Sequence, residues 1–420
     1  MLSDCAIKNY PIAQSPGILV QLSPMDTILL FQKLDSSAGR QRLEGVSAFA
    51  REVGWNVHCQ SEPLDSEQMR GLVDLWRPVG AILSTNDGHV EYDTDLFSPD
   101  STVLQDCYPP VGMEKFAVVT TDSAAATDIA FRELASAKCA AYGFVPWSAR
   151  RLWSDNRRMQ FRRIAKQYGF VPNEFAPSYG PGSAKALQTQ LIAWLRTFPR
   201  PFGLLAANDI VGMYVLNACR LARISVPFEC IVVGYDGDEA ICNGTNPTLS
   251  SVGLNFREAG YRAGDLLYRM LRGEVKDKPV VSIPPIGLTR RSSSRVFLQA
   301  DRHALKATEL IQTEACNGLA AKDVLAIFPC SRRMAEMRFR RATGHSVLEE
   351  IRAVRIEKAK RLLANPYRGL SVIAEECGYE SDTTFRRMFK EETGLTLRQW
   401  RRASLMDSGA LPVLSRSKLP

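Results

Sequence analysis

The residues best placed to contact a small polar ligand each follow a short apolar run in the first part of the chain. They supply carboxylate and amide groups and one hydroxyl, which together donate and accept hydrogen bonds. These residues are Ser84, Asn86, Asp122, Asn208, Asp209 and Asp236. Open α/β sheets bind ligands beyond the carboxyl ends of their strands. If the apolar runs are strands of such a sheet, the pattern predicts a ligand-binding edge.

Motifs of catalysis and metal binding are missing from the sequence. It contains no G-x-S-x-G nucleophile turn, no H-E-x-x-H zinc motif and no G-x-x-x-x-G-K phosphate loop. The four histidines, at 58, 89, 303 and 345, lack the spacing of metal ligands. We therefore expect a protein without catalytic residues, without a metal and without a cofactor.

A second group of residues recurs after an interval of fifty near the C-terminal end. The matched positions are Ser331 and Ser381, Ala335 and Phe385, Phe339 and Phe389, Thr343 and Thr393, and Gly344 and Gly394. In each copy the serine suits a helix N-cap, the glycine suits the residue after the helix, and apolar side chains share one face. A second short helical run precedes each copy, and Gly378 suits the turn between two such helices. The repeat predicts two helix-turn-helix units.

The segment between the copies predicts a long connecting helix. Ser346 and Glu349 have the spacing of a capping box, which would open a helix over Val347–Leu363. Helical periodicity predicts one buried face. The residues expected on that face are Leu348, Ile351, Val354, Ala359 and Leu362.

The elements before this repeat alternate between short β-rich runs and helical stretches, from Ile28 to about Pro285. Such alternation predicts parallel strands covered by helices on both faces. After a polar, basic stretch at 290–294 the β-rich runs stop. The predicted domains are an irregular lead (1–26), a two-lobed ligand domain (27–291), a linker (292–302), a helical domain (303–405) and a flexible tail (406–420).

Charge is concentrated in the last part of the chain. Residues 301–420 carry 22 Lys and Arg against 15 Asp and Glu, so nearly all of the net charge of +8 lies there. A basic module on a nearly neutral body predicts a polyanion partner, nucleic acid before a membrane surface. Ten scattered cysteines without a C-x-x-C pair, and a start without a signal peptide, predict reduced thiols in a cytoplasmic protein.

The helical repeat resembles the AraC-type DNA-binding domain, because both helix-turn-helix units and the connecting helix match in order over about 100 residues. In that family the second helix of each unit enters the major groove. Pro329, just before the first of these helices, departs from the pattern. The resemblance places at the DNA Arg333, Glu336, Met337 and Arg340 of the first unit, and Asp382, Thr383, Arg386, Arg387 and Lys390 of the second.

The front of the chain resembles the periplasmic-binding-protein-like effector domain of LacI-type regulators. The resemblance rests on Pro201-Phe-Gly-Leu-Leu-Ala-Ala-Asn-Asp, Ile231-Val-Val-Gly-Tyr-Asp-Gly-Asp and Pro247-Thr-Leu-Ser-Ser-Val. It implies sugar contacts at Arg157, Asn208 and Asp236, with Asp122 and the Ser36–Arg40 loop as weaker candidates. Trp153 is expected either to stack on the sugar ring or to pack in the core.

Three carboxylates near this edge allow more than one interpretation. Asp209 is interpreted as a ligand contact or as the N-cap of the helix it opens, with the cap favoured. Asp238 is expected to be a solvated loop carboxylate. Asp236 and Arg157 are expected to face each other across the cleft between the lobes and to bind the same sugar.

The combined architecture resembles that of bacterial xylose-operon regulators. It implies a sugar-responsive transcription regulator that senses a pentose, binds double-stranded DNA and forms a homodimer, with RNA polymerase as a further candidate partner and no membrane partner. The alternatives are a sugar-binding receptor with a fused basic tail, or a carbohydrate enzyme that uses Asp122, Asp209 and Asp236.

Overall fold

The computed structural model describes residues 26–84, 96–106, 114–147, 151–176, 184–275, 277–295, 301–363, 368–402 and 413–414. The described strands form two sheets, and the described helices after residue 301 form an all-α domain. This confirms the predicted fold class, a two-lobed α/β domain followed by a helical domain. Asn86 lies outside the described residues.

The first lobe is a sheet with helices on both faces. Its elements are β1 (Thr27–Phe31), α1 (Ser37–Val53), β2 (Asn56–Gln60), α2 (Ser66–Trp76), β3 (Gly80–Ser84), β4 (Thr102–Asp106), β5 (Ala117–Thr121), α8 (Phe256–Leu271) and β11 (Val280–Ile283). These six strands lie in the order β11-β5-β4-β3-β1-β2, and all pairings among them are parallel. Ile28, Leu29 and Leu30 are fully buried, as expected where helices cover both faces of a strand.

The second lobe repeats this plan. Its elements are α3 (Ser123–Ser136), β6 (Ala141–Val145), α4 (Leu152–Gln167), β7 (Asn173–Glu174), α5 (Ala184–Leu195), β8 (Phe202–Ala206), α6 (Asp209–Ala222), β9 (Cys230–Asp236), α7 (Glu239–Gly244), β10 (Ser250–Gly253) and β12 (Gly287–Thr289). The described strands lie in the order β12-β10-β9-β8-β6-β7, and only β12 among them is antiparallel to its neighbour. The described chain crosses between the lobes after β5, after β10 and after β11.

The start of the predicted linker is buried in the second lobe. Ser292, Ser293 and Ser294 are fully buried, whereas their polar sequence predicts a linker. The Ser293 hydroxyl donates to the carbonyl of Val232 over 2.6 Å, and the Ser294 hydroxyl donates to Glu133 over 2.7 Å. Serine is small enough to be buried when its hydroxyl is hydrogen-bonded, so a polar run did not indicate exposure here.

The helical domain contains the predicted tandem units. Its elements are α9 (Arg302–Glu314), α10 (Ala321–Leu325), α11 (Arg332–Thr343), α12 (Val347–Leu363), α13 (Leu370–Glu376), α14 (Asp382–Thr393) and a last helix at 397–402. Ser331 and Ser381 cap α11 and α14, and Gly344 and Gly394 end them with positive φ. Pro329 does not prevent the first unit, since α10 and α11 form on either side of it.

The connecting helix has the predicted bounds and most of the predicted buried face, since Ile351 and Ala359 are buried and Val354 and Leu362 are half-buried against the two cores. Ser346 and Glu349 form the capping box, with each side chain bonded to the other's backbone N–H. Leu348 is 49% exposed, so its predicted burial is wrong. The buried residues are Val347, Glu350, Ile351, Ile356, Ala359 and Leu363.

A short strand within the predicted tail was not expected from the sequence. β13 (Val413–Leu414) pairs antiparallel with β11 and adds to the edge of the first sheet. The two residue pairs are Val281 with Val413 and Val280 with Leu414.

Two glycines let α1 and α8 pack with their backbones in contact. A Cβ added to Gly260 of α8 would lie 2.1 Å from the carbonyl oxygen of Arg42. A Cβ added to Gly45 of α1 would lie 2.0 Å from the carbonyl oxygen of Arg257. Because backbone atoms cannot move aside as a side chain does, any larger residue at either position must separate the helices.

We expect Gly260→Ala to destabilise the first lobe by about 1–3 kcal/mol through overpacking. Gly71→Ala in α2 is the matched control, because an added Cβ there has no heavy atom within 4 Å. The control should be neutral or stabilising by about 0.5–1 kcal/mol, since alanine favours a helix over glycine. Chemical unfolding measures both, and equal behaviour of the two variants would contradict the close contact.

Candidate ligand cleft and nucleic-acid interface

A cleft of about 330 Å³ lies between the two lobes. The end of β1 and the start of α1 line it from the first lobe, and α4, the start of α6, the end of β9 and the start of α7 line it from the second. Four of the five predicted ligand residues lie along it, namely Trp153, Arg157, Asn208 and Asp236. The sheets therefore bring together residues that are far apart in the sequence.

Arg157 is a buried cation at the floor of the cleft. It is only 4% exposed. Its Nη1 donates to the carbonyl of Ala207 over 2.6 Å, and its Nη2 donates to Asp236 Oδ1 over 3.0 Å. The guanidinium carbon lies 4.9 Å from the ring centroids of both Trp153 and Tyr235, a distance at which cations and aromatic faces attract. These contacts fix the guanidinium at the cleft.

The expected position of Arg157 and Asp236 on opposite sides of the cleft is wrong. Arg157 lies on α4 and Asp236 ends β9, and both elements belong to the second lobe. The two side chains form an ion pair within that lobe. Asp236 also has a φ of 100°, which is rare for a residue with a side chain and which recurs at functional sites.

Three further polar residues of the second lobe line the cleft. Asn208, rather than Asp209, is the N-cap of α6, since its Oδ1 accepts the N–H of Val211. Asp209 is 1% exposed, and its Oδ2 accepts the N–H of Asp238 over 2.8 Å. Asp238 caps α7 by accepting the N–H groups of Ala240 and Ile241. It is thus a capping residue at the cleft rather than a solvated loop carboxylate.

Asp122 is the one predicted ligand residue outside the described lining of the cleft. It is the N-cap of α3, and its Oδ1 accepts the N–H of Ala125 over 2.9 Å. Its neighbour Thr121 does line the cleft. Since a carboxylate after a strand can equally begin the next helix, its position alone did not distinguish the two roles.

Arg42 of the first lobe was not predicted as a cleft residue. It is 4% exposed, and its guanidinium carbon lies 4.5 Å from the ring centroid of Phe256. Both residues line the cleft, together with Ser36 and Arg40 of the predicted weaker loop. The sequence contained a signal for it, because Arg42 falls on the face of α1 that is otherwise buried through apolar and glycine residues.

The first recognition helix, α11, presents an exposed face to solvent. Arg333, Met337 and Arg340 are exposed on it, at the i, i+4, i+7 spacing of one helix face. Glu336 is half-buried, and its Oε1 accepts the N–H of Val347 at the start of α12. Arg338 is held by Asp301, which accepts two hydrogen bonds from it. Glu336 therefore has a structural partner that the sequence did not indicate.

The second recognition helix, α14, has a matching face. Thr383, Arg386, Arg387 and Lys390 are exposed there. Asp382 is half-buried at the first turn, where its Oδ2 accepts a hydrogen bond from the Ser371 hydroxyl over 3.4 Å and lies 3.6 Å from Arg386. Three basic side chains on one exposed helix face suit contact with phosphates and base edges.

Asp209 gives the cleft a testable dependence on pH. Burial first, and then the negative charge of Asp236, raise the pKa of Asp209 from its ordinary value of 3.8 to about 7. Between pH 3.8 and about 7, the Asp209 carboxyl therefore keeps its proton in the folded protein and loses it in the unfolded chain. The stabilisation from this proton is complete below the ordinary pKa and is lost as the pH rises through about 7.

We expect Asp209→Asn to gain stability relative to the unsubstituted protein as the pH rises from 5 to 8. The amide has no proton to lose, and its oxygen can still accept the N–H of Asp238. Thermal unfolding of both proteins across this range measures the difference. Parallel Tm curves would contradict the raised pKa.

Among the described residues, no three His, Cys, Asp or Glu side chains lie together as metal ligands would. The described cysteines are free thiols. No helix in the described ranges is both long enough and apolar enough to span a bilayer.

Comparison with known protein families matches both parts of the chain. Residues 131–294 match the periplasmic binding protein-like domain, and residues 324–403 match a helix-turn-helix domain. The xylose operon regulatory protein of Escherichia coli K12 is 28% identical over 391 residues, which cover 89% of this chain and 96% of the relative. That of Haemophilus influenzae is 29% identical over 68% of this chain and 75% of the relative.

Other relatives share one or both parts. The HTH-type transcriptional activator RhaR of Salmonella dublin is 35% identical over 216 residues, which cover 47% of this chain and 71% of the relative. Among solved structures, a xylose-binding transcription activator has a TM-score of 0.54 at 23% identity and covers 92% of this chain and 99% of its own. A transcriptional regulator in complex with cellobiose has a TM-score of 0.53 at 18% identity, over 64% of this chain and 86% of its own.

The order of domains, the paired helix-turn-helix units and the full-length relatives agree. This chain belongs to the AraC-type transcription regulators whose DNA-binding domain follows a periplasmic-binding-protein-like effector domain.

Proposed function

We propose that this regulator senses a pentose, with xylose as the first candidate, in the cleft between its lobes. The observation that carries the proposal is the ion pair between the buried Arg157 and the half-buried Asp236 at the cleft. A guanidinium donates and a carboxylate accepts, so together they can satisfy a sugar hydroxyl that does both. Asn208, whose Oδ1 caps α6, adds its amide group at the same edge.

The size and walls of the cleft favour a monosaccharide. Its volume of about 330 Å³ lies at the small end of ligand pockets. Trp147 and Trp153 both line it, with ring centroids 6.0 Å apart. Such rings suit the apolar face of a pyranose. Full-length relatives named as xylose operon regulators make xylose the first sugar to test.

We propose that the regulator acts on double-stranded DNA in the cytoplasm, as a homodimer that contacts RNA polymerase. The exposed basic faces of α11 and α14 supply the DNA contacts. Sedimentation with and without DNA tests the dimer, and retention of the purified polymerase on the DNA-bound protein tests the contact with RNA polymerase.

Two alternative functions make different predictions. A receptor with a fused tail would bind sugar with no preference among DNA sequences, and a carbohydrate enzyme would convert the sugar during incubation.

We expect Asp236→Asn to raise the Kd for xylose by about 30-fold or more. The substitution removes the charged acceptor of a sugar hydroxyl inside a desolvated site, which costs roughly 2–5 kcal/mol of binding free energy, and each 1.4 kcal/mol is tenfold in affinity. Asparagine is chosen because it tolerates the positive φ at this position better than alanine does. Calorimetry with xylose measures the change, and thermal unfolding of the variant reports whether the ligand domain remains folded.

Asp122→Asn is the matched control for this experiment. It removes the same charge from a strand end beside the cleft, and asparagine caps a helix as well as aspartate does. Its xylose affinity should stay within about twofold of the unsubstituted protein. An affinity loss as large as that of Asp236→Asn would place Asp122 among the ligand contacts, and no loss in Asp236→Asn would remove Asp236 from them.

We expect Arg387→Ala to weaken binding to a preferred DNA fragment by about 1–3 kcal/mol and to relax the preference at one base pair. Lys390→Ala should weaken binding to all sequences and lower the salt slope by about one unit, as loss of a phosphate contact does. The fragment is first selected from a random pool with the unsubstituted protein, and gel-shift titrations on its single-base variants then measure the effects.

Arg341→Ala provides the control, because the equivalent position of the second unit is Glu391, a residue unsuited to face phosphates. It removes one positive charge from an exposed site of α11 and should leave the base preference unchanged. An equal loss on every base variant for Arg387→Ala would remove that residue from the base contacts.

A further inference from the structure

Helix α7 lies between the cleft and the DNA-binding domain. At its start, Asp238 and Ile241 line the cleft. Glu239 and Asn243 line a second cavity, whose other wall includes α12 of the DNA-binding domain. One helix of six residues thus touches both the ligand site and the connecting helix between the two recognition units.

The cleft end of α7 is tied directly to the candidate sugar contacts. Asp236 and Gly237, both with positive φ, join β9 to this helix. A Cβ on Gly237 would lie 2.9 Å from the Cα of Gly253, so the turn leaves no room for a side chain. Asp209 holds the N–H of Asp238 over 2.8 Å. A ligand that moves Asp236 or Asp209 must therefore move the start of α7.

The opposite side of α7 is bonded to the second DNA-binding unit. Glu239 Oε1 lies 2.6 Å from Arg361 Nη1 near the end of α12. The adjoining residues Ile356, Ala359 and Leu363 belong to the core of the second unit. This ion pair therefore joins α7 to the half of α12 that positions α14.

The other half of α12 is held by a different part of the second lobe. Arg295 Nη2 lies 2.6 Å from Glu350 Oε1, and their side chains are only 17% and 3% exposed. Arg295 directly follows the buried serines at 292–294, which are bonded into the second sheet. The Arg295–Glu350 pair thus anchors α12 to the second sheet, whereas the Glu239–Arg361 pair anchors it to a helix at the cleft.

The interface between these anchors is not close-packed. A cavity of about 510 Å³ separates α7 from α12, with Asn243, Arg291, Val354 and Lys358 among its walls. The cavity is partly open to solvent, and charged side chains form much of its lining. The Glu239–Arg361 ion pair therefore links α12 to α7 across this cavity, so a small shift of α7 can reposition α12 without disrupting a core.

We propose that α7 transmits occupancy of the cleft to the DNA-binding domain through the Glu239–Arg361 ion pair, while Arg295–Glu350 acts as the fixed point about which α12 turns. The inference rests on the proposed function, because it takes the sugar site to be the cleft. Sugar contact at Asp236 and Asp209 shifts α7, and the ion pair carries that shift to the second recognition unit.

The test compares Glu239→Gln with the unsubstituted full-length protein, using D-xylose and the selected DNA fragment. The unsubstituted protein should change its DNA Kd at least about fivefold on saturation with xylose, within the usual range of coupling between sites. Glu239→Gln should bind xylose as before, by calorimetry, but its DNA Kd should change less than about twofold on adding the sugar. Glu274→Gln, which breaks the exposed Arg272–Glu274 pair of the first lobe, should retain full coupling.

Full coupling in Glu239→Gln would overturn the inference, and so would an unsubstituted protein that binds xylose without any change in DNA affinity.

If the unsubstituted protein binds no xylose, the proposed effector is wrong, and DNA affinity without sugar decides the role of α7. Glu239→Arg should then alter DNA affinity by about fivefold or more through repulsion of Arg361, and Glu239→Arg with Arg361→Glu should restore it to within about twofold. No effect of the single change, or no restoration by the reversed pair, would overturn the inference.

Discussion

The buried guanidinium of Arg157 is the interaction on which the ligand cleft depends. A charge taken out of water is costly unless partners surround it. Here the partners come from four places, namely the carbonyl after β8, the carboxylate at the end of β9, and the rings of Trp153 and Tyr235. Satisfying one cation therefore fixes the ends of two strands and one helix relative to each other. The contacts of Arg157 therefore hold these walls of the cleft in place.

Signals that act within a few residues made most of the fold predictable. The serine caps, the glycine stops and the capping box at Ser346 gave the bounds of α11, α12 and α14 because the hydrogen bonds concerned are local. Buried apolar runs likewise indicated strands such as β1 and β9. The order of polar residues after those strands then indicated which side chains meet at the cleft, since parallel strands end at a common edge.

Features that depend on distant contacts were not predictable in this way. β2 is a half-buried edge strand with the mixed sequence Asn56–Gln60, so it lacks the continuous apolar run that predicts a buried strand. The burial of Ser293 depends on a carbonyl 61 residues away, and the assignment of Arg157 and Asp236 to one lobe depends on where the chain crosses between lobes. Leu348 is exposed because the first buried position of α12 is Val347, a difference of one residue, or about 100° around the helix.

The two DNA-binding units differ from independent modules because they share α12. Its first half, with Val347 and Ile351, belongs to the core of the first unit, and its second half, with Ile356 and Leu363, belongs to the core of the second. A helix is stiff over this length of roughly 25 Å, so a rotation at one end is transmitted to the other. The spacing of the two recognition helices is therefore set within α12, while their joint orientation is set by whatever holds α12 to the second lobe. A regulator built this way can change how both units meet a DNA site without altering either unit.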